Sequence, residues 1–133
     1  MLPACANAAG EWLTVHGNPS EANVTTIEVN PVTIAISGDQ RTMQVRINRS
    51  VQRTTPDGVT FRSFNSSVLF DCAQKTARFV SVDFYAQPLW QGEIFKSVTY
   101  SPLDARNMEF REVEPSPLDR IIRAACRSGF PAN

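Results

Sequence analysis

The sequence is short of the residues that most catalytic and metal sites need. It contains one histidine, His16, and three cysteines, Cys5, Cys72 and Cys126, without a CxxC or HxxxH spacing. A structural zinc site needs about four such ligands, usually in close pairs, and a serine or cysteine nucleophile usually needs a histidine base. His16 directly precedes a turn signal and is interpreted as a strand-end residue. The sequence therefore argues against a metal centre and against nucleophilic catalysis, and it contains no cofactor motif.

An excess of basic charge and a long apolar run are also absent. The chain has 13 Lys plus Arg and 13 Asp plus Glu, so its formal net charge is zero. Proteins that bind nucleic acid normally have a basic excess, and a membrane-spanning helix needs about 20 consecutive apolar residues. We therefore expect no nucleic-acid partner and no transmembrane segment. The 133 residues are expected to form one domain.

The first residues are small and alanine-rich. Ala-x-Ala occurs at residues 4–6 and again at 6–8, and this spacing is typical of a signal-peptidase site. We expect cleavage after Ala8, so that residues 1–9 are a signal-peptide remnant or a disordered tail and residues 10–133 are the domain. The segment "LPAC" is also similar to a bacterial lipobox, in which Cys5 would carry a lipid.

Most of the remaining sequence has the period of two that is typical of strands. Residues 32–36 and 41–49 are separated by the turn signal "SGDQ" and predict a hairpin, with Asn30-Pro31 ending the strand before it. "TTPDGVT" predicts a second turn. Further strands are predicted in "VTFRSFNSSVLFDC", "TARFVSVDFYA", "EIFKSVTY" and "MEFREV". In the hairpin, one face is expected to carry Val32, Ile34, Ile36, Met43, Val45 and Ile47, and the wet face Thr42, Gln44, Arg46 and Asn48.

The segment "PSPLDRIIRAACRSGFP" predicts a C-terminal helix. Ser116 is suited to the N-cap and Pro117 to the first helical position. The apolar residues then recur at helical spacing and form one stripe. The stripe consists of Leu118, Ile121, Ile122, Ala125 and Cys126.

Two of the cysteines are placed to meet. Cys126 lies on the apolar stripe of the helix, and Cys72 is in phase with Val68 and Phe70 on the expected buried face of a strand. In an exported chain such cysteines are expected to be oxidised. A Cys72–Cys126 disulfide is therefore predicted, and two free buried thiols are the alternative.

Three segments together resemble the surface-adhesin E family of exported Gram-negative proteins. They are "FRSFNSSVLFDC", "ARFVSVDFY" and "MEFREVEPSPLDRIIRAAC", and the resemblance extends from about Trp12 to Cys126. It implies an α+β fold, an antiparallel sheet of about six strands with a C-terminal helix tied to it by Cys72–Cys126. It also implies a non-enzymatic protein of the periplasm or outer cell surface, with a protein partner, such as a host matrix protein, and a homodimeric state.

Two groups of side chains are candidates for binding. Tyr85, Leu89 and Trp90 lie in "FYAQPLWQGE", where Trp90 either covers the core as a lid or projects with Tyr85 as a contact patch. Arg46 and Arg62 belong to the predicted wet strands and form either a solvated sheet face or a patch for an acidic partner or a glycan.

The sequence favours a non-enzymatic cell-envelope or secreted binding module that acts through surface contacts. A small periplasmic enzyme or inhibitor is the first alternative, and it would need a polar cleft between sheet and helix. An accessory factor that pairs through an exposed sheet edge is the second. A deep pocket with converging charges would favour the enzyme, and a solid core with open faces would favour the binding module.

Overall fold

A computed structural model describes residues 11–110 and 113–127. Within them lie seven strands, one α-helix and two short 3-10 turns. The strands are β1 (Leu13–His16), β2 (Thr26–Ser37), β3 (Gln40–Thr54), β4 (Thr60–Asp71), β5 (Thr76–Tyr85), β6 (Ile94–Thr99) and β7 (Arg106–Asn107), the helix is α1 (Leu118–Arg127), and the 3-10 turns are Pro88–Trp90 and Pro102–Asp104. The predicted leader and Cys5 lie outside the described residues.

The strands form one antiparallel sheet in which neighbours in sequence are neighbours in space. Its order is β1-β2-β3-β4-β5-β6, and β7 pairs with β5. The predicted α+β fold, with about six strands and a C-terminal helix on the sheet, is confirmed. Because β3 and β4 lie in the interior of the sheet, each pairs with a strand on either side over most of its length. The stretch of β3 beyond Asn48, next to the β3–β4 turn, has no partner in β2.

One face of the sheet forms the hydrophobic core. Alternate residues of β3 and β4 point to this face because successive side chains in a strand alternate. Met43, Val45 and Ile47 are buried there, as predicted, opposite Val68 and Phe64 of β4. Helix α1 packs against β2, β3 and β4 on this side. Its apolar stripe buries Ile121, Ile122 and Ala125, so the periodicity in the sequence located both surfaces of the core.

Strand β2 continues through Asn30 and Pro31, so the expectation that this dipeptide separates two strands is wrong. The pairing with β3 is irregular between Asn30 and Ala35. There the Thr33 hydroxyl donates to the Asn30 carbonyl at 2.7 Å and accepts the Gln44 N–H at 3.0 Å. The hydroxyl thus replaces a backbone carbonyl as the acceptor for Gln44 at a β-bulge. Bulges are among the positions where strands tolerate proline.

The outer half of β2 is less buried than its pattern suggested. Ile34 packs on the core, but Val32 is 68% exposed and Ile36 is 51% exposed. Beyond the bulge the strand extends past the part of the sheet that the helix covers. An apolar face predicted from alternation is buried only where a second layer lies over it.

The turn "TTPDGVT" joins β3 to β4 as predicted. The Gly58 N–H donates to the Thr55 carbonyl at 2.9 Å, and the Thr55 N–H donates to the Val59 carbonyl at 2.8 Å. Gly58 has a φ of +93°, which glycine adopts without steric cost. On the β3 side, before the turn, the β3–β4 register is irregular between Asn48 and Arg53.

The predicted disulfide between Cys72 and Cys126 is present, and its Cα atoms are 5.5 Å apart. It joins the end of β4 to the last turn of α1. The helix begins as expected, since the Ser116 hydroxyl accepts the Leu118 N–H at 3.3 Å and Pro117 is fully buried. The covalent link therefore holds the helix on the core face of the sheet.

The last predicted strand, "MEFREV", is only partly described, because residues 111–112 lie outside the described residues. The short strand β7 instead comes just before it, at Arg106–Asn107. Met108, Phe110 and Val113 are buried in the core. This segment contributes apolar side chains, and its described residues do not extend the sheet.

Candidate functional site

The face of the sheet opposite α1 is built from polar side chains. They align in register across neighbouring strands, because each strand contributes residues of the same parity. We call this surface the polar face and define it by two rows. One row is Thr14, Glu28, Arg46, Asn65, Asp83 and Ser97, and the other is Asn30, Gln44, Ser67, Ser81 and Thr99.

Both tryptophans of the chain pack on one guanidinium of the polar face. The Arg46 Cζ atom lies 4.3 Å from the centroid of the Trp12 ring and 3.9 Å from that of the Trp90 ring. Each such cation–π contact stabilises by roughly 0.5–2 kcal/mol. Trp12 precedes β1 and Trp90 ends the first 3-10 turn. Arg46 thus joins two segments that are far apart in sequence.

The charge of Arg46 is balanced by Glu28 on the neighbouring strand. Arg46 Nε donates to Glu28 Oε1 at 2.8 Å, and Arg46 Nη2 lies 2.7 Å from the same oxygen. The Thr14 hydroxyl donates to Glu28 Oε2 at 2.7 Å. The Glu28 side chain is 4% exposed and that of Arg46 is 22% exposed. Because a buried carboxylate is costly unless it is paired, these contacts allow Glu28 to stay inside.

The turn Pro88–Trp90 is held in a conformation that large residues rarely adopt. Leu89 has a φ of +55° and Trp90 a φ of +58°. A left-handed backbone costs a residue with a Cβ about 1–2 kcal/mol. Such strain persists only where the surroundings fix it, and it is concentrated at functional sites.

Hydrogen bonds to the sheet fix this turn. The Leu89 N–H donates to Asn48 Oδ1 at 2.7 Å, and the Trp90 N–H donates to Ser63 Oγ at 3.0 Å. Ser63 Oγ donates in turn to the Gln87 carbonyl at 2.7 Å, and Trp90 Nε1 donates to the Phe64 carbonyl at 3.0 Å. The turn is therefore preorganised on the sheet before any partner arrives.

Asn48 connects this turn to the loop between β1 and β2. Its amide nitrogen donates to the Ala22 carbonyl at 3.1 Å and to the Val24 carbonyl at 3.0 Å. The Ala22 carbonyl also accepts from Arg62 Nη2 at 2.7 Å, and Arg62 Nε donates to the Arg49 carbonyl at 3.2 Å. Asn48 was expected on a wet face, but it is fully buried because this loop and the turn cover it.

A small cavity opens among the polar side chains next to Arg46. Its volume is about 70 Å³. The side-chain oxygen of Asn65 is buried and has no hydrogen-bond partner among the described residues, and the same holds for Asn30. Asp83, at the same place, accepts a hydrogen bond from Ser97 Oγ at 2.7 Å. The cavity is lined by Gln44, Asn65, Ser66, Ser67, Ser81 and Asp83.

The family model of Surface-adhesin protein E matches residues 12–127. The chain belongs to the surface-adhesin protein E family. The match begins at Trp12 and ends one residue beyond Cys126, so it includes both indoles of the Arg46 cluster and both half-cystines. No curated protein matches the chain.

Membership in the surface-adhesin E family indicates an exported surface protein with an adhesin-like role. Within residues 11–110 and 113–127, no group of three or more His, Cys, Asp or Glu side chains could hold a metal ion. No helix in the same ranges is long and apolar enough to cross a membrane.

The cleft between sheet and helix that an enzyme would need is present as an open cavity of about 370 Å³. It lies beside the disulfide, and its charged side chains are exposed. Charged groups in contact with water are weakly coupled, and such groups are poorly suited to tuned acid–base chemistry. Its lining consists of Cys72, Lys75, Asp119, Ile122, Arg123 and Cys126.

A second charged cluster lies at the far edge of the sheet. Arg106 contacts the carboxylates of Asp57 and Asp104 at 3.0 and 3.2 Å, and its guanidinium lies 5.0 Å from the Tyr100 ring. Burial raises the pKa of the Tyr100 hydroxyl above its usual value of 10, and the positive charge of Arg106 opposes this shift. The two carboxylates hold the pKa of Arg106 above its usual range. The cluster ties β7 to the β3–β4 turn.

The structure brings together three of the five binding residues that the sequence predicted. Trp90 and Arg46 are in contact, and Leu89 lies in the same turn as Trp90. Tyr85 ends β5, in register with Ser63 beneath the turn. Arg62 does not contact Arg46 or the tryptophans; its guanidinium donates to the Ala22 and Arg49 carbonyls. Trp90 is half-buried and packs on Arg46 of the polar face; its assignment to a lid over the core or to a contact patch with Tyr85 stays a prediction.

Several residues of the site were not singled out from the sequence. Trp12 and Glu28 complete the Arg46 cluster, and Asn65 and Asp83 line the cavity. The signal for Glu28 was available, since a glutamate alternates with β-branched residues in "TIEV" directly across the hairpin from Arg46. No sequence signal located Trp12, because it approaches Arg46 only through the pairing of β1 with β2.

Proposed function

We propose that this chain is a non-enzymatic binding module of a Gram-negative cell envelope or of the secreted fraction. It acts at the periplasmic or outer surface through contact with a protein partner, for which a host matrix protein is the candidate. The proposed contact surface is the polar face together with the turn Pro88–Trp90. Tyr85, Leu89 and Trp90 contribute side chains, while Arg46 positions Trp90, and Arg62 holds the neighbouring loop.

One observation carries this proposal, namely the rigid placement of Leu89 and Trp90. Both residues are half-buried, and hydrogen bonds to Asn48 and Ser63 hold their strained backbone on the sheet. A surface that is already ordered loses little conformational entropy on binding. Tryptophan is also among the residues that contribute most to interface energies.

The binding proposal is tested by capture of immobilised matrix proteins by the purified domain. Leu89→Ala is expected to weaken capture about tenfold, which corresponds to about 1.4 kcal/mol. Leu103→Ala is the matched control, since Leu103 is the middle residue of the other Pro-Leu-x turn and is 99% exposed. Equal loss in both variants, or no capture by the wild-type domain, would contradict the proposal. Cell fractionation with surface proteolysis tests the location separately.

The homodimer that the family resemblance implies remains part of the proposal, and the edge strand β6 is the surface through which we propose that it forms. Strand β6 pairs only with β5, and no described strand pairs with its outer edge. This edge strand carries two exposed apolar residues, Ile94 and Phe95. Open edges of this kind can pair with another chain. Light scattering at high micromolar concentration should give a dimeric mass that Phe95→Lys reduces to that of a monomer. A monomeric wild-type mass would remove the homodimer.

A further inference from the structure

The cavity on the polar face is too small to enclose a whole ligand and can hold only one of its substituents. Small-molecule sites usually enclose about 300–1,000 Å³, whereas this cavity measures about 70 Å³. Since liquid water occupies about 30 Å³ per molecule, there is room for roughly two hydroxyl-sized groups. A ligand that uses the cavity must lie along the face and insert one substituent.

The groups around the cavity both donate and accept hydrogen bonds. The amides of Gln44 and Asn65 offer both functions, and so do the hydroxyls of Ser67 and Ser81, whereas the carboxylate of Asp83 only accepts. A hydroxyl group also donates one hydrogen bond and accepts others. This mixture is complementary to a ligand rich in hydroxyl groups and is poorly suited to an apolar one.

Two buried oxygens on this face have no hydrogen-bond partner among the residues that the structure describes. Asn65 Oδ1 belongs to a residue that lines the cavity, and Asn30 Oδ1 belongs to a residue that is 5% exposed and pairs across the sheet with Gln44. A buried acceptor left without a hydrogen bond is destabilising, because it has lost its contact with water and gained no partner. A ligand that donates to Asn65 would recover that cost, which provides a specific gain on binding.

The charges on the polar face favour a neutral ligand. The two rows contain three charged side chains, and Glu28 and Arg46 neutralise each other at 2.7 Å. Within the two rows, Asp83 remains as the one uncompensated charge, and it is negative; Arg78 lies on the same side of the sheet but in the next row, in register with Leu69. An anionic ligand would therefore be repelled by the Asp83 carboxylate at the cavity, and neither row offers a free cation to attract it. Arg46 pairs in register with Asn65, which lines the cavity, and the half-buried Trp90 ring packs on Arg46.

We propose that the polar face binds neutral glycans, with one hydroxyl-bearing substituent in the cavity between Asn65, Ser81 and Asp83 and with Trp90 beside the sugar ring. Indole rings combine an apolar surface with a polar edge, which matches the C–H and hydroxyl groups of a sugar. The inference rests on the proposed binding function and names the chemical class that the surface recognises. On a matrix protein, that class would be its attached neutral sugar chains.

The direct experiment is titration of the isotope-labelled domain with free N-acetylglucosamine, galactose and mannose, followed by nuclear magnetic resonance. At least one sugar should shift the side-chain amide signal of Asn65 and the backbone signals of Ser67 and Ser81, with millimolar affinity. Asn65→Ala should weaken this binding about tenfold. Asn23→Ala is the matched control, because Asn23 is exposed in the β1–β2 loop and should leave the affinity unchanged.

A second variant keeps the test valid if Asn65→Ala does not fold. Ser81→Ala removes one hydroxyl without changing the backbone and should weaken the same sugar about fivefold. The inference would be overturned by the absence of shifts on the polar face with all three sugars, or by equal effects of the Asn65 and Asn23 substitutions.

Deglycosylation separates this inference from the proposed function. A matrix protein captured by the domain should lose most of its capture after enzymatic removal of its neutral glycans. Unchanged capture would leave the binding module intact and would overturn the glycan inference. Failure of the domain to capture the untreated matrix protein would instead contradict the proposed function.

Discussion

The two faces of the sheet achieve burial by different means. On the face beneath α1, side chains such as Val45, Val68 and Phe70 are fully buried without any polar atom to satisfy. On the polar face Glu28, and next to that face Asn48, are as inaccessible as these residues, but each depends on specific hydrogen bonds. Apolar packing tolerates approximate geometry, whereas buried polar groups require nearly complete pairing. The core face therefore supplies most of the stability, and the polar face supplies defined positions.

The largest effect should come from the core face. Phe70→Ala removes a fully buried ring and should lower the free energy of unfolding by about 3–5 kcal/mol. Gln44→Ala, which truncates an exposed side chain of the polar face, should change it by less than about 0.5 kcal/mol. Urea denaturation of both variants measures the contrast. Similar losses in the two would show that the faces do not differ in this way.

Removing the disulfide should destabilise the same face nearly as much. Cys72→Ser breaks the link to Cys126 and is expected to cost about 2–5 kcal/mol. Reductant should lower the melting temperature of the wild-type domain to about that of the variant. The melting temperature of the variant should not change when reductant is added. A wild-type melting temperature that is the same with and without reductant would contradict the prediction.

The ion pair tests the polar face directly. Arg46→Leu leaves Glu28 buried without its cation and should cost about 2–3 kcal/mol, somewhat less than for a fully buried pair because Arg46 is partly exposed. Replacing both residues by leucine should restore most of the stability, since two apolar side chains need no pairing. The double-mutant cycle is measured by chemical denaturation. Additive losses would mean that the pair is not the unit that matters.

The smallest effect concerns backbone strain over the polar face. Leu89→Gly and Leu89→Ala both remove the side chain, but only glycine accepts a φ of +55° freely. The glycine variant should therefore be more stable than the alanine variant by about 0.5–1 kcal/mol. Thermal unfolding of the pair measures this difference, and an alanine variant at least as stable as the glycine variant would refute it.

The same contrast between the two faces explains which parts of the structure could be predicted from the sequence. Alternation in "RTMQVRINR" and helical spacing in residues 118–126 located the core, and both half-cystines lay on those faces, so the fold and the disulfide were predictable. These signals are local, because each arises from the period of one element. A local period also assigned Val32 and Ile36 to an apolar face without showing that both side chains are exposed.

The polar face depends on contacts that no period encodes. Trp12 and Trp90 reach Arg46 from opposite ends of the sheet order, and the burial of Asn48 depends on a loop and a turn that converge on it. The register of the whole sheet must be known before such residues can be placed together. Leu89, Trp90 and Arg46 could be named as candidates from their residue types, but their arrangement could not be predicted.

The Arg46 cluster also makes the protein its own optical reporter. The chain has only two tryptophans, and both rings lie within 4.3 Å of one guanidinium carbon. Its intrinsic tryptophan fluorescence therefore originates entirely from this one place. A ligand that approaches Trp90, or a separation of β1 from the rest of the sheet, would change the emission spectrum. A local opening of α1 on the other side would leave that light unchanged, so a single unlabelled cuvette experiment can observe one face of the sheet without interference from the other.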